Sequence, residues 1–327
     1  MNAILDFGVG LIVAIQGLGG WLKGPMEFFS FLGREEFFLI LLPILYWCVD
    51  SRLGLRVAFI LLVNTSINDA FKLAFHGPRP YWYSPDTVEK FATETSFGVP
   101  SGHAQSAVAV WGMLAAWMKK WWAWLVAGII AFLIGFSRMY LGVHFPHDVL
   151  LGWLLGGLLL WLTVRFWDPV AAWAKKLSMG RQVLAAFVAS LVLIVLPLIP
   201  YLWLKLTNWQ PDPSWASYAT EAVSLSGAFT SAGVFFGLLA GLAWLSHRGG
   251  FKTTGVWWKL VLRFLVGVVG VLVFYLGLDV LFGLIAPDAE AVLPFILRFV
   301  RYAFVGAWVS AGAPWLFIRL KLAEPEN

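Results

Sequence analysis

Lys72-Leu-Ala-Phe-His-Gly-Pro-Arg79-Pro80, Pro100-Ser101-Gly102-His103 and Ser137-Arg138-Met-Tyr-Leu-Gly-Val-His144-Phe-Pro-His-Asp148 are three polar islands in an otherwise apolar sequence. Working outward from them, the chain breaks into long runs without charge. About 20 apolar residues cross a bilayer as a helix, and the runs are continuous rather than alternating, which favours helices over a barrel. Of the 327 residues 60% are hydrophobic and 13% charged, with a mean hydropathy of +0.80. A soluble domain carries about 25% charged residues. The expectation is an all-α fold: a polytopic membrane helical bundle. Many of the 20 tryptophans stand at the ends of apolar runs, among them Trp82, Trp121, Trp122, Trp203, Trp257 and Trp258, as interfacial belts require.

The islands fall at the ends of spans expected at about 54–74, 102–118, 121–138 and 147–165, after a span at about 35–49. Residues 3–20 fit either a short first span or an interfacial helix. Residues 75–99 read as a polar, aromatic loop, and 166–182 as a basic linker. Four further apolar stretches follow at about 183–204, 221–245, 257–285 and 293–318, giving nine or ten spans. The domain division expected is a core over 1–166, the linker, and an additional bundle over 183–327. The single cysteine, Cys48, excludes an internal disulfide. No basic residue precedes Lys23, so the start does not resemble a cleavable signal peptide.

Charge orients the bundle. Up to residue 182, Arg52, Arg56, Lys119, Lys120, Arg165, Lys175, Lys176 and Arg181 lie on the face opposite the islands; Lys23, Arg34 and Lys90 share the island face. The positive-inside rule then puts the islands on the extracytoplasmic side. Arg248, Lys252, Lys259, Arg319 and Lys321 fall on the cytoplasmic side of the same scheme, whereas the outer loops carry Asp212, Asp288 and Glu290. The formal charge of +5 is spread over these short loops and does not point to nucleic acid.

The islands bring together the parts of a phosphate site. Lys72, Arg79 and Arg138 supply three fixed cations, and a guanidinium can hold two oxygens at once. Ser101 suits a helix N-cap, so that the amides of Ser101, Gly102 and His103 become anion donors; Gly102 lets backbone approach closely. His144 and Asp148 are four residues apart, with Pro146 suited to the first helical position. A carboxylate one turn away fixes the imidazole tautomer and qualifies His144 as a nucleophile, leaving His103 as general acid and then base. The scheme requires no metal and no cofactor. Asn64, Asn68 and Lys72 share one helix stripe, and Asp69 stands three residues before Lys72; Asn68 and Asp69 are expected to support Lys72 rather than to act chemically. His76 and His147 adjoin functional positions without a role, and Tyr81-Trp82-Tyr83 can line the approach for a headgroup. Near the outer ends of the last spans, Asp279 is expected to pair with Arg298 or Arg301.

The islands resemble the signature of the type-2 phosphatidic acid phosphatase superfamily, which includes the vanadium haloperoxidases. The pattern Lys-x6-Arg-Pro, Pro-Ser-Gly-His, Ser-Arg-x5-His-x3-Asp is matched here without substitution. The resemblance covers roughly residues 1–166 and implies a six-helix phosphatase core. It implies phosphate binding by Lys72, Arg79, Ser101, Gly102 and Arg138, a phosphohistidine at His144 oriented by Asp148, and leaving-group protonation by His103. Membrane members act on lipid phosphates and diphosphates: phosphatidate, phosphatidylglycerol phosphate, sphingoid phosphates and polyprenyl diphosphates. The expected partners are therefore a lipid phosphate substrate and the bilayer. The alternatives are transfer of the phosphate to an acceptor hydroxyl, a glucose-6-phosphatase-like sugar phosphatase (those members also exceed the common core), and a non-catalytic lipid transporter on the same frame. The four helices after residue 182 lie outside the core that the resemblance covers.

Overall fold

In the computed structural model every regular element is helical; it describes residues 2–285 and 292–326. Asp288 and Glu290, assigned above to an outer loop, lie outside the described residues. The helices are α1 Asn2–Gln16, α2 Lys23–Phe31, α3 Glu35–Ile44, α4 Ser51–Phe75, α5 Pro80–Tyr83, α6 Gly102–Met118, α7 Trp121–Tyr140, α8 Pro146–Lys175, α9 Met179–Leu206, α10 Ser226–Ser246, α11 Trp257–Ile285, α12 Val292–Ala307 and α13 Ala313–Arg319. Two π-helical turns, Leu45–Val49 and Trp308–Gly312, continue α3 and join α12 to α13.

Among the described residues seven helical segments, with α12, its π turn and α13 counted as one over Val292–Arg319, are long and apolar enough to cross a membrane, against the nine or ten expected; the number rises to eight if the first segment counts as one broken span. That segment bends by 88° between Ala3–Gln16 and Gly20–Phe31. The difference from the expectation lies mainly in α3 and α6. The second has 17 residues, and at 1.5 Å per residue it falls short of a core about 30 Å thick. The tract 166–182 also departs from the expected linker. Helix α8 continues through it to Lys175, with Pro169 inside, and α9 begins at Met179. Charged composition marks where a chain can leave lipid, not where its helix ends.

The chain divides into two compact units. The first comprises Met1–Phe38, Ile67–Arg165 and Leu196–Leu225. It contains all three islands. Within it, Gly152 and Gly156 on α8 leave room only for the backbone of Ser101 and Gln105, so α8 packs against the start of α6 without side chains between them.

The second unit comprises Leu39–Ser66, Phe166–Val195 and Ser226–Asn327. Helices α10 and α12 meet through small residues. A Cβ on Gly233 or Gly237 would run into the carbonyls of Phe299 and Ala303, and one on Gly306 into that of Val234. The two π turns answer one another: Tyr46 Oη donates to the Ser310 carbonyl (3.1 Å) and Trp47 Nε1 to that of Val309 (2.8 Å). A π turn interrupts the regular ladder, and side chains from the other turn satisfy the carbonyls it frees. Arg263, buried, donates to the carbonyls of Leu322, Thr253, Thr254 and Trp47, fixing the final residues to α11.

Asp279 on α11 forms an ion pair with Arg301 on α12, whose guanidinium also lies over the rings of Tyr275 and Tyr302. Arg298 instead donates to Thr230 (3.4 Å). Because the carboxylate is largely exposed, the pair is worth about 1 kcal/mol or less. Asp279→Arg and Arg301→Asp singly should each lower the melting temperature by a few degrees, and the double exchange should restore it. A double variant no more stable than the singles would dismiss the pair as a fastening.

Candidate active site

The three islands are tied to one another before any side chain is considered. The Gly98 amide donates to the Gly77 carbonyl (2.9 Å), joining the approach to the second island to the first. The Ser101 amide donates to the Asp148 carbonyl (3.0 Å), joining second to third. Arg79 completes the set, donating to the Val143 carbonyl (2.9 Å) of the third island. Segments remote in sequence thereby become one rigid floor.

Local chemistry sets each piece. Ser101 is the N-cap of α6, its hydroxyl accepting from the Ala104 amide (3.4 Å). Gly102 lies so close to Asn68 that a Cβ would come within 3.0 Å of its Oδ1. Asn68 donates to Gln105 Oε1 (2.8 Å) and to the Pro100 carbonyl (3.4 Å). Asn68 therefore holds the second island, not Lys72 as expected. Helix α8 starts at Pro146, and Asp148 in its first turn reaches back to accept from the Phe145 amide (2.9 Å), one half of a capping box.

The same Asp148 oxygen, Oδ2, lies 3.3 Å from His144 Nδ1, and the other ring nitrogen, Nε2, lies 3.1 Å from Arg79 NH1. A guanidinium nitrogen can only donate. Nε2 must therefore accept, which leaves the ring proton on Nδ1, facing the carboxylate. Burial, and then the charges of Arg79, Arg138 and Lys72, hold the His144 imidazole well below its ordinary range. A neutral ring with its Nε2 lone pair directed toward the cations is the state a nucleophile needs. His144, Asp148, Arg79 and Arg138 are all at most 1% exposed.

Arg79 is held by every arm of its fork: Nε donates to the Ser96 carbonyl (2.7 Å), NH2 to Ser96 Oγ (3.1 Å) and to the Phe97 carbonyl (3.2 Å). Lys72 Nζ donates to the same Ser96 hydroxyl (2.6 Å), so one serine joins two cations. Asp69 forms no ion pair with Lys72 among the described residues; the lysine turns to Ser96 instead. Arg138 donates to Ser30 on α2 and forms an ion pair with Glu94, while its Nε has no partner among the described residues. His103 Nε2 is likewise buried without a partner among the described residues, with Gly33 against its ring. His103 feels the charges of Arg138, Glu94, Lys72 and Arg34. An unpartnered nitrogen beside three cations suits an oxygen brought by a ligand.

Several participants carried no legible signal. Glu94 sits among the guanidinium groups, paired with Arg138 and 4.0 Å from Arg79. Burial would push its carboxyl up, but Arg138 and Arg79 outweigh this and hold it well below the usual carboxylate range. Tyr81 pins its backbone from both sides, donating to the Glu94 carbonyl (2.9 Å) and accepting from its amide (3.1 Å). The run Tyr81-Trp82-Tyr83 accordingly does not form an open approach: Tyr81 and Trp82 are buried. Trp82 stacks on Trp215 and Tyr218, and Trp209 meets His76 and Phe97 edge-on. The segment after α9, expected to be a plain outer loop, is thus an aromatic cover for the first island. His147, left without a role, places Nε2 3.2 Å from Asp148 Oδ1.

Comparison with known proteins bears on this geometry. A family model described as the PAP2 superfamily matches residues 53–171, and a second, the PAP2 superfamily phosphatase transmembrane extension, matches residues 229–325. Phosphatidylglycerophosphatase B of Bacillus subtilis is 31% identical over 169 residues, 48% of this chain and 80% of that protein. An undecaprenyl-diphosphatase of Sulfolobus acidocaldarius is 30% identical over 145 residues, 44% of this chain and 70% of that protein. Glucose-6-phosphatase 3 of Bos taurus is 31% identical over 186 residues, 50% of this chain and 54% of that protein, so the chain spans about half the length of this relative.

Proposed function

The chain belongs to the PAP2 superfamily, and on that premise we propose that it is an integral membrane phosphatase hydrolysing a lipid phosphate or diphosphate through a phosphohistidine. The observation that carries the proposal is the position of His144 between Asp148 and Arg79. His144 Nε2 attacks phosphorus as the bond to the leaving oxygen breaks, and His103 gives that oxygen its proton. Water then loses a proton to His103 and attacks the phosphohistidine, releasing inorganic phosphate and restoring both rings. Lys72, Arg79 and Arg138, with the amides at the start of α6, balance the charge that gathers on the equatorial oxygens. Asn68 serves as support only, holding the second island. The site faces the extracytoplasmic side, on the charge pattern of the loops. Residues 1–166 act as the phosphatase core, 167–182 as a cytoplasmic connection and 183–327 as an added bundle.

A lipid substrate is supported by the phosphatidylglycerophosphatase and undecaprenyl-diphosphatase likenesses, of which this chain covers the larger part. A second reading, a sugar phosphate as substrate, is favoured by the glucose-6-phosphatase likeness. Phosphate release from solubilised protein over a panel of lipid monophosphates, polyprenyl diphosphate and glucose 6-phosphate separates the two. Turnover of the sugar phosphate alone would overturn the lipid assignment.

Glu94 supplies a sharper test of the phosphate cradle. Its carboxylate pairs with the cation that a phosphate oxygen needs, so substrate must displace it. Glu94→Gln should tighten inhibition by vanadate about tenfold, the equivalent of ~1.4 kcal/mol. Unchanged or weaker inhibition would mean that Glu94 and the phosphate do not compete.

A further inference from the structure

The strongest unassigned feature lies in the second unit, in the part matched by the transmembrane extension. An apolar groove of about 370 Å³ is walled by Trp244, Phe274, Phe304, Trp308 and Trp315. It shares Trp244 and Trp315 with a second cavity, of about 470 Å³, lined by Arg248, Arg319 and Lys321. The π turn Trp308–Gly312 helps shape the groove: Trp308 Nε1 is spent on the Gly267 carbonyl (2.9 Å), so the indole offers the groove only its apolar body.

The basic cavity has a charge imbalance that the protein does not resolve. The Arg248 guanidinium lies 4.1 Å from the Trp244 ring centroid and that of Arg319 5.4 Å from the Trp315 ring centroid. None of the three cations has an ion-pair partner among the described residues. The tail carboxylates Glu324 and Glu326 pair elsewhere, with Lys252 (3.3 Å) and Arg52 (3.6 Å). These are also cations that the sequence assigns to the cytoplasmic side, where the leaflet carries anionic lipid.

We propose that this pair of cavities binds one anionic glycerophospholipid, its phosphate among Arg248, Arg319 and Lys321 and an acyl chain in the tryptophan-walled groove. Either half alone would be ordinary for a membrane helix. Their continuity across two shared indoles selects a ligand that is acidic at one end and apolar at the other. Arginine stacked on tryptophan keeps its edge free for phosphate oxygens while its face covers the ring. The ligand is a phosphodiester, so it is bound and not hydrolysed, and the inference does not depend on the reaction assigned above.

The test uses the full chain in phosphatidylcholine nanodiscs with and without phosphatidylglycerol. Phosphatidylglycerol should raise the melting temperature by about 3 °C or more. Arg248→Gln, Arg319→Gln and Lys321→Gln combined should abolish that rise, and Trp244→Ala should reduce it. Inorganic phosphate, which has the anion without the chains, should give no shift that depends on these three residues. Native mass spectrometry of the unaltered protein in a mixture of the two lipids keeps the question open to failure should the triple variant not fold; phosphatidylglycerol should be retained in preference. Equal retention, a shift that survives the triple exchange, or a phosphate shift that vanishes with it would each overturn the lipid site.

Discussion

Replacing His144 by alanine is expected to abolish phosphate release, with kcat falling by ~10⁴-fold or more, the scale on which deleting a covalent nucleophile acts. The structure gives two reasons for so large an effect. The ring is locked from both sides, by Asp148 on Nδ1 and Arg79 on Nε2, so no neighbouring group can take its place. Burial, and then the surrounding cations, also keep it neutral. Protonation would remove the attacking lone pair, and a lowered pKa moves that loss to lower pH. For the native protein, the loss of kcat/KM that comes from protonating His144 should therefore begin only below pH 6.5, the ordinary imidazole value. Trapping a phosphorylated chain with an alkaline quench, which spares the acid-labile P–N bond, and its absence in the alanine variant, checks the same step. Turnover surviving in His144→Ala would remove the covalent intermediate from the scheme.

Asp148→Asn should cost kcat about 10²–10⁴-fold while leaving KM and the melting temperature nearly unchanged. Asparagine keeps the oxygen that accepts from the Phe145 amide, so the start of α8 survives. What is lost is the charge beside His144 Nδ1. The amide oxygen that keeps the cap still faces the ring, because the Phe145 amide and His144 Nδ1 share Oδ2, so the loss isolates the charge. His147, 3.2 Å from the second carboxylate oxygen, offers a control: His147→Gln should lower kcat far less. If Asp148→Asn loses less than tenfold, the carboxylate does no more than cap the helix.

Much of the candidate site was legible because its parts are local. The spacing of His144 and Asp148 places them one turn apart at a helix start, whatever the rest of the chain does. Ser101 and Gly102 announce a capped helix at which backbone can approach closely. Glu94 was not legible: in the run Glu94-Thr95-Ser96 it reads as one solvated acid in a polar loop. It becomes part of the cation cluster only when Arg138, 44 residues away, is folded against it. Ser30, Ser96 and the aromatic segment from Trp209 to Tyr218 were hidden for the same reason. Asn68 was placed correctly on the inner stripe of α4, but its partner turned out to be the Pro100 turn, because Gly102 lets that turn come into contact.

By itself the sequence determined an all-helical membrane chain, the near limits of most helices and the residues of the three islands. Each of these follows from hydropathy and from contacts within a turn or two, which the order of residues encodes directly. The tertiary structure alone decided that α3 and α6 are shorter than the other long helices, that α8 runs through the basic tract, that Asp279 chooses Arg301 over Arg298, and that a carboxylate sits among the buried arginines. Those outcomes depend on which surfaces pack together, and packing is set by shape and charge across long separations that no local pattern records.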